Sequence, residues 1–246
     1  DYHWLRKHIP IDAHCVSTNV TSGFGVISIM GPRSRDLLQS LTPDQLSHTS
    51  FPFATSREIE LGLGYARASR ISFVAELGWE LYIPTEFMQD IYDRIVVAGA
   101  AYRLTHAGYH ALNSLRLEKG YRHWGHDVTD EDSPLEAGLD FVVKFDKIDG
   151  FIGREALLLQ QERGISRKLI QLRLTDPEPL IYQNEPIWRD GNLVGHITSG
   201  AYGHTFNRAV GLGYVDIGPS LKHEALVEGS YEVEVAGKRV SAEASL

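Results

Sequence analysis

Hydrophobic positions change their period along this chain, from a mixture of strand and helix spacings to a run of short alternating segments. Tyr2 to Lys7 reads as a short helix. FGVISIM, Phe24 to Met30, is an apolar run rich in β-branched residues and predicts a buried strand. Gly31-Pro32 breaks it and places Pro at the first position of a helix whose Leu37, Leu38 and Leu41 face the core. Arg57 to Leu63 and Ala66 to Val74 read as successive strands, bent at Gly62 and Gly64. Gly78 allows a tight turn, and Trp79 to Ile83 follows as another strand. Glu86 to Tyr102 predicts an amphipathic helix with Phe87, Ile91, Ile95 and Val96 on one face. The next helix starts at His110, turns Ala111, Leu112 and Leu115 to its apolar side, and stops at Gly120 as C′ residue. An aromatic and polar loop, Tyr121 to Asp127, leads to an acidic turn closed by Pro134 and to a buried strand from Leu139 to Phe145. Phe151 to Gly164 is a last helix with a Gly stop.

From Lys168 onward the segments are short, alternating and punctuated by turns, with Asp190-Gly191 and Ala236-Gly237 as hairpin turns. Such a meander predicts a small antiparallel β-barrel. The expected organisation is therefore α+β, with one domain over 1–163 and a barrel domain over 168–246. The chain begins at Asp1 without methionine and ends at Leu246 inside a predicted strand, so both ends are expected to be cuts through a longer polypeptide.

Composition narrows the function classes. With 246 residues and 43% apolar content the chain can bury a sizeable core. Its net charge of −8 and the lack of a basic stripe disfavour nucleic acid as a partner. No run approaches the ~18 apolar residues of a membrane span, so no membrane partner is expected. A lone cysteine, Cys15, cannot form an internal disulfide and suits a reducing compartment, the cytoplasm or a mitochondrial matrix. His106 and His110 stand at i, i+4 and His123 and His126 flank Trp124-Gly125, a set from which metal ligands could be drawn. There is no H-E-x-x-H and no cysteine pair, however, and the first pair straddles Gly108, so no metal is expected. The GLGY repeats at Gly62 and Gly211 lack the context of a dinucleotide loop.

The chemistry-bearing stretch is SLRLEKGYRHWGHD followed by SPLEAGLDF, a helix feeding a loop of Tyr, His, Trp and Asp that is suited to lining a pocket. Together with GVISIMGPRSRDLLQSL, FVAELGWELYIP, FIGREALLLQQERG and GHITSGAYGHT before GLGYV, it resembles the folate-dependent aminomethyltransferase family. That family includes the glycine-cleavage T-protein and the C-terminal folate modules of dimethylglycine and sarcosine dehydrogenases. The Trp before Gly-x-Asp resembles the dehydrogenase-type modules more closely. The resemblance covers nearly the whole chain. It implies a partial T-protein-like folate-binding domain ahead of the barrel, and tetrahydrofolate as cofactor.

The resemblance also implies site residues. Glu80 stands where the family's pterin-holding glutamate stands, and a carboxylate can accept two adjacent N–H donors. Phe73 replaces a Tyr and keeps an aromatic wall without the hydroxyl, and Trp124 offers another. Tyr202 with His204, on the loop of the GHITSGAYGHT signature, either closes one side or stabilises the turn. Arg116 matches a family arginine, for which a buried ion pair is the leading alternative to a folate contact. The first arginine of the T-protein Arg-Asp-Ser-Leu-Arg is Leu112 here. The family's Gly-Gly-x-x-x-Asp-Asp-like strand with the catalytic aspartate has no match, so no catalytic residue is assigned. The residues present are expected to bind folate weakly and to lack turnover, with Asp127 and His126 the first places to look otherwise.

The implied activity is capture of an amine-derived one-carbon unit as 5,10-methylene-tetrahydrofolate, with a small amine as substrate. No flavin fingerprint is present, so FAD belongs only to a separate upstream domain or partner subunit. The alternative is a non-catalytic module resembling the regulatory subunit of pyruvate dehydrogenase phosphatase. A folate-dependent tRNA-modifying relative is disfavoured by the charge.

Overall fold

A computed structural model describes residues 1–217 and 223–246. The chain divides into two compact units, Asp1–His106 and Ala107–Leu246. No described helix is long and apolar enough to cross a membrane.

The first unit runs α1 (Tyr2–Lys7), β1 (Phe24–Met30), α2 (Ser34–Gln39), β2 (Ser56–Leu61), β3 (Gly64–Ser69), β4 (Gly78–Pro84) and α3 (Met88–Gly99). Its strands form an antiparallel sheet in the order β1-β4-β3-β2. Because successive side chains alternate across a strand, β4 sends Trp79, Leu81 and Ile83 to one face. There they join Ile59, Leu61, Ala66 and Ala68 and meet Leu37 and Leu38 of α2 and Ile91 and Ile95 of α3 in one core. Each fully buried Leu or Ile contributes about 1.5–3 kcal/mol.

Several local expectations shift. In β1 only Ile29 is buried, because this strand is an edge with β4 as its single neighbour. The first helix after it starts at Ser34 and not at Pro32. β3 ends at Ser69, which leaves Phe73 in the loop before β4. The left-handed residue of that loop is Ala75, at φ 56°. Gly78 serves close packing instead, since a Cβ there would lie 2.8 Å from Met30 Cγ and 2.9 Å from the Ile29 carbonyl oxygen.

The second unit holds α4 (Tyr109–Glu118), α5 (Arg154–Arg163), β5 (Arg167–Leu174), β6 (Pro186–Arg189), β7 (Asn192–Gly203), β8 (Arg208–Asp216), β9 (Tyr231–Val235) and β10 (Lys238–Ser245). The strands close into a barrel in the order β10-β5-β8-β7-β6-β9. Ile170, Leu172, Ile187, Ile197, Val215 and Val233 are in its core. Both residues of the Asp190-Gly191 and Ala236-Gly237 turns have positive φ, as the tightest hairpins require.

Two expectations fail here. Leu139 to Phe145 is not a buried strand: it carries a 3₁₀ turn over Asp140–Val142, with Phe141 72% exposed. A β-branched run becomes a strand only beside a free edge, and a closed barrel offers none. Helix α4 buries Ser114, Arg116, Leu117 and Glu118, whereas Leu115 is exposed. Its inner face is polar because it docks through hydrogen bonds.

Candidate functional site

In the first unit the alternation that buries Trp79 turns Glu80 and Tyr82 to the opposite face of the central strand β4. Glu80 pairs with Ser28 of β1 and Ser69 of β3, so small side chains flank it on both sides. The Tyr82 hydroxyl donates to Glu80 Oε2 at 3.1 Å. Burial, then the hydrogen bond and charge of Glu80, hold the Tyr82 phenol above its ordinary pKa. Among the described residues the other oxygen of Glu80 has no hydrogen-bond partner. Phe73 is half-buried in the loop ahead of β4.

In the second unit Arg116 is 1% exposed and forms the buried ion pair, Nη1 to Asp127 Oδ2 at 2.5 Å. Its Nε donates to Asn113 Oδ1 at 2.8 Å and Nη1 also to the Tyr121 carbonyl at 2.9 Å. Asp127 is as deeply buried, and both its oxygens are taken: Oδ2 also accepts the His123 amide at 2.9 Å, and Oδ1 accepts Thr198 Oγ1 at 2.5 Å. It is therefore a brace and not an available base. Thr198 reaches it because β7 bulges against β8 between Ile197 and Ser199, which takes Thr198 out of the ladder. Nothing in the local pattern of GHITSG marks that role.

The brace holds a loop that presents rings. Gly125, at φ 87°, donates to the Val128 carbonyl at 2.8 Å, and Trp124 stands 67% exposed. Tyr109 and His123 are in contact, OH to Nε2 at 3.2 Å, and the His123 and His126 rings lie 4.5 Å apart. Burial first, then the charges of His126 and Arg116, push the His123 pKa below its ordinary value, against Asp127. On β7 the Tyr202 carbonyl accepts Ser114 Oγ at 2.7 Å, and its ring lies 5.2 Å from that of His204. Glu118, buried on α4, accepts the Thr205 amide at 2.7 Å and its hydroxyl at 2.6 Å. Of the predicted residues, then, Glu80 and Phe73 belong to the first unit, and Trp124, Arg116 and Tyr202 to the second.

Residues 1–147 match the family described as GCVT N-terminal domain, and residues 167–246 match the Glycine cleavage T-protein C-terminal barrel domain. Mitochondrial sarcosine dehydrogenase of Mus musculus is 39% identical over 234 residues, covering 94% of this chain and 25% of the relative. The mitochondrial pyruvate dehydrogenase phosphatase regulatory subunit of Mus musculus is 35% identical over 257 residues, covering 99% of this chain and 29% of that protein. The solved structure of glycine cleavage system aminomethyltransferase T from Bartonella henselae superposes with a TM-score of 0.75 at 24% identity, covering 90% of this chain and 58% of that one. The chain thus spans about a quarter of the length of the first of these curated relatives.

Proposed function

We infer, from the premise that this chain belongs to the glycine cleavage T-protein family, that it is a tetrahydrofolate-binding module for one-carbon transfer in methylated-glycine or glycine catabolism. The relatives point to a place within a longer enzyme of sarcosine or dimethylglycine dehydrogenase type, with the flavin chemistry carried elsewhere and a mitochondrial matrix or cytoplasmic setting. The observation that carries the reading is Glu80. It is a half-buried carboxylate on a central strand, flanked by serines, with one oxygen held by Tyr82 and the other uncommitted. Such a group accepts the paired N–H donors of a pterin edge, and holding one oxygen in place orients the other. Phe73 adds an aromatic surface in the same unit.

Tetrahydrofolate supplies the nitrogens that take up the one-carbon unit. The chain's own share is to bind the ring system, orient it and keep water away. In the second unit Trp124 offers a flat apolar face on a loop fixed by Asp127, and Tyr202 a second ring on β7. Asp127 itself is fully engaged, and no described residue is assigned the acid–base step.

The test is calorimetric titration of tetrahydrofolate into the chain and its Glu80→Ala variant. Loss of the carboxylate should cost roughly 1–3 kcal/mol of binding, because pterin N–H groups are left without an acceptor. Equal affinity in both proteins would remove Glu80 from the reading. A second reading, a non-catalytic interaction module, is favoured by the 35% identity to a phosphatase regulatory subunit. Folate binding by the longest natural form, with no methylene-tetrahydrofolate formed from an amine donor above the spontaneous background, would select it.

A further inference from the structure

On the helix-covered side of the first unit's sheet, behind the face that carries Glu80, three arginines surround the Phe51–Trp79 pair, with no acid paired to them among the described residues. Arg70 follows β3 and is 7% exposed. Its backbone is fixed by Arg70 N donating to the Thr55 carbonyl at 2.9 Å and by Ala54 N donating back at 3.0 Å. Its Nη1 reaches the Phe51 carbonyl at 2.7 Å and His48 Nδ1 at 3.1 Å. A guanidinium only donates, so Nδ1 is the acceptor of that pair. Arg35 of α2 donates from Nε to the Leu46 carbonyl at 2.9 Å. The guanidinium carbons of Arg35 and Arg70 both lie 5.8 Å from the Trp79 ring centre. Arg57 covers the Phe51 ring at 4.4 Å and binds the Ser50 and Gln45 carbonyls. Phe51 meets Trp79 edge-on at 6.1 Å.

Stapling the loop of Gln45 to Phe51 explains those carbonyl contacts and nothing more. Arg70 Nε, Arg57 Nε and Trp79 Nε1 are buried and have no acceptor. They are all donors, and they gather around one pair of rings. Among the described residues no carboxylate lies within ion-pair distance of Arg35, Arg57 or Arg70. Burial, and after it the charge of Arg35, lower the pKa of Arg70, yet a guanidinium keeps its proton at any working pH. Two positive charges therefore act on each other without a counter-charge, and leaving a buried charge unpaired is unfavourable. The missing ingredient is negative and accepts hydrogen bonds.

We propose that Arg70 and Arg35, with Arg57 and Trp79 beside them, form an anion-binding site that takes a carboxylate or a small oxyanion. The fork of a guanidinium matches either geometry with two parallel donors. Entry is from the side of Arg35, which is half-buried, and His48, which is exposed. The ligand is a free small anion or the carboxylate of an acidic side chain, and these share one chemistry. The site is independent of the folate reading, because Trp79 and Glu80 point to opposite faces of the sheet.

The test is equilibrium dialysis of the 246-residue chain against labelled inorganic phosphate, labelled acetate and labelled acetyl-aspartate amide at constant ionic strength in chloride. Saturable binding of any of the three, near one equivalent, is expected. Preference for acetyl-aspartate amide identifies a side-chain carboxylate as the natural occupant, and preference for phosphate or acetate a free anion. Arg35→Gln, at the half-buried edge, should weaken that binding about tenfold, the worth of one charge-assisted hydrogen bond. Arg70→Lys keeps the charge, removes the fork and should weaken it as well. Circular dichroism would confirm that both variants fold. No saturable binding of any probe, or binding unchanged in a folded Arg35→Gln protein, would overturn the proposal.

Discussion

Two buried arginines, one in each unit, solve the same electrostatic problem differently. Arg116 has Asp127 against it, and Asp127 is in turn held by Thr198 and the His123 amide, so the charge and most donors are answered inside the chain. Arg70 has one carbonyl, that of Phe51, and one imidazole nitrogen, His48 Nδ1, as acceptors at a single nitrogen, an unanswered Nε and a second arginine as its electrostatic neighbour. A satisfied pair braces a fold, and an unsatisfied one stores a demand for a ligand. The difference teaches that depth alone does not say what a buried charge is for; its partners do.

The comparison can be broken or sharpened by substitution. The largest effect is expected from Asp127→Ala, which leaves Arg116 buried and unpaired and should cost about 3–5 kcal/mol in urea unfolding of the chain. Replacing both partners, Arg116→Met with Asp127→Leu, should recover part of that loss, since no charge is then stranded. Glu118→Ala comes next. It deprives the Thr205 amide and hydroxyl of their acceptor and should cost about 1–3 kcal/mol in the same measurement. Arg70→Met should cost under about 2 kcal/mol, because two lost hydrogen bonds are offset by removal of an unpaired charge. A cost equal to that of Asp127→Ala would break the contrast. Trp124→Ala should change stability by no more than about 0.5 kcal/mol, since the loop is anchored through Asp127 and not through the exposed ring.

The smallest effect is a pH slope. The folded pKa of His123 lies below the ordinary histidine value of about 6.5, first through burial and then through His126 and Arg116. The unfolded chain therefore binds more protons in the window just under 6.5, so stability should rise with pH through that window and level off above it. Urea midpoints between about pH 5 and 7 should show a shallower rise in His123→Gln than in the parent chain.

Much of this molecule was legible from short-range pattern. Alternation in GWELYIP placed Trp79 and Glu80 on opposite faces of one strand, and Asp190-Gly191 and Ala236-Gly237 marked two hairpins by residue type alone. The family resemblance likewise rests on contiguous motifs. What failed was legible only with neighbours in view. FVVKF carries the composition of a strand and finds no edge, and α4 carries an apolar stripe at Ala111, Leu112 and Leu115 yet buries Ser114, Arg116 and Glu118.

By itself the sequence determined most of the elements and their order, the barrel's two hairpin turns at Asp190-Gly191 and Ala236-Gly237, and the family. Those follow from backbone preference and side-chain period, which act over a few residues. Tertiary structure alone decided which polar groups meet. Thr198 finds Asp127 across 71 residues and Glu118 finds Thr205 across 87, and Arg70 comes to lie beside Arg35 with no carboxylate at ion-pair distance among the described residues. Hydrogen bonds and charges are satisfied in space, by whichever groups the closed barrel and the covered sheet bring within about 3 Å of one another.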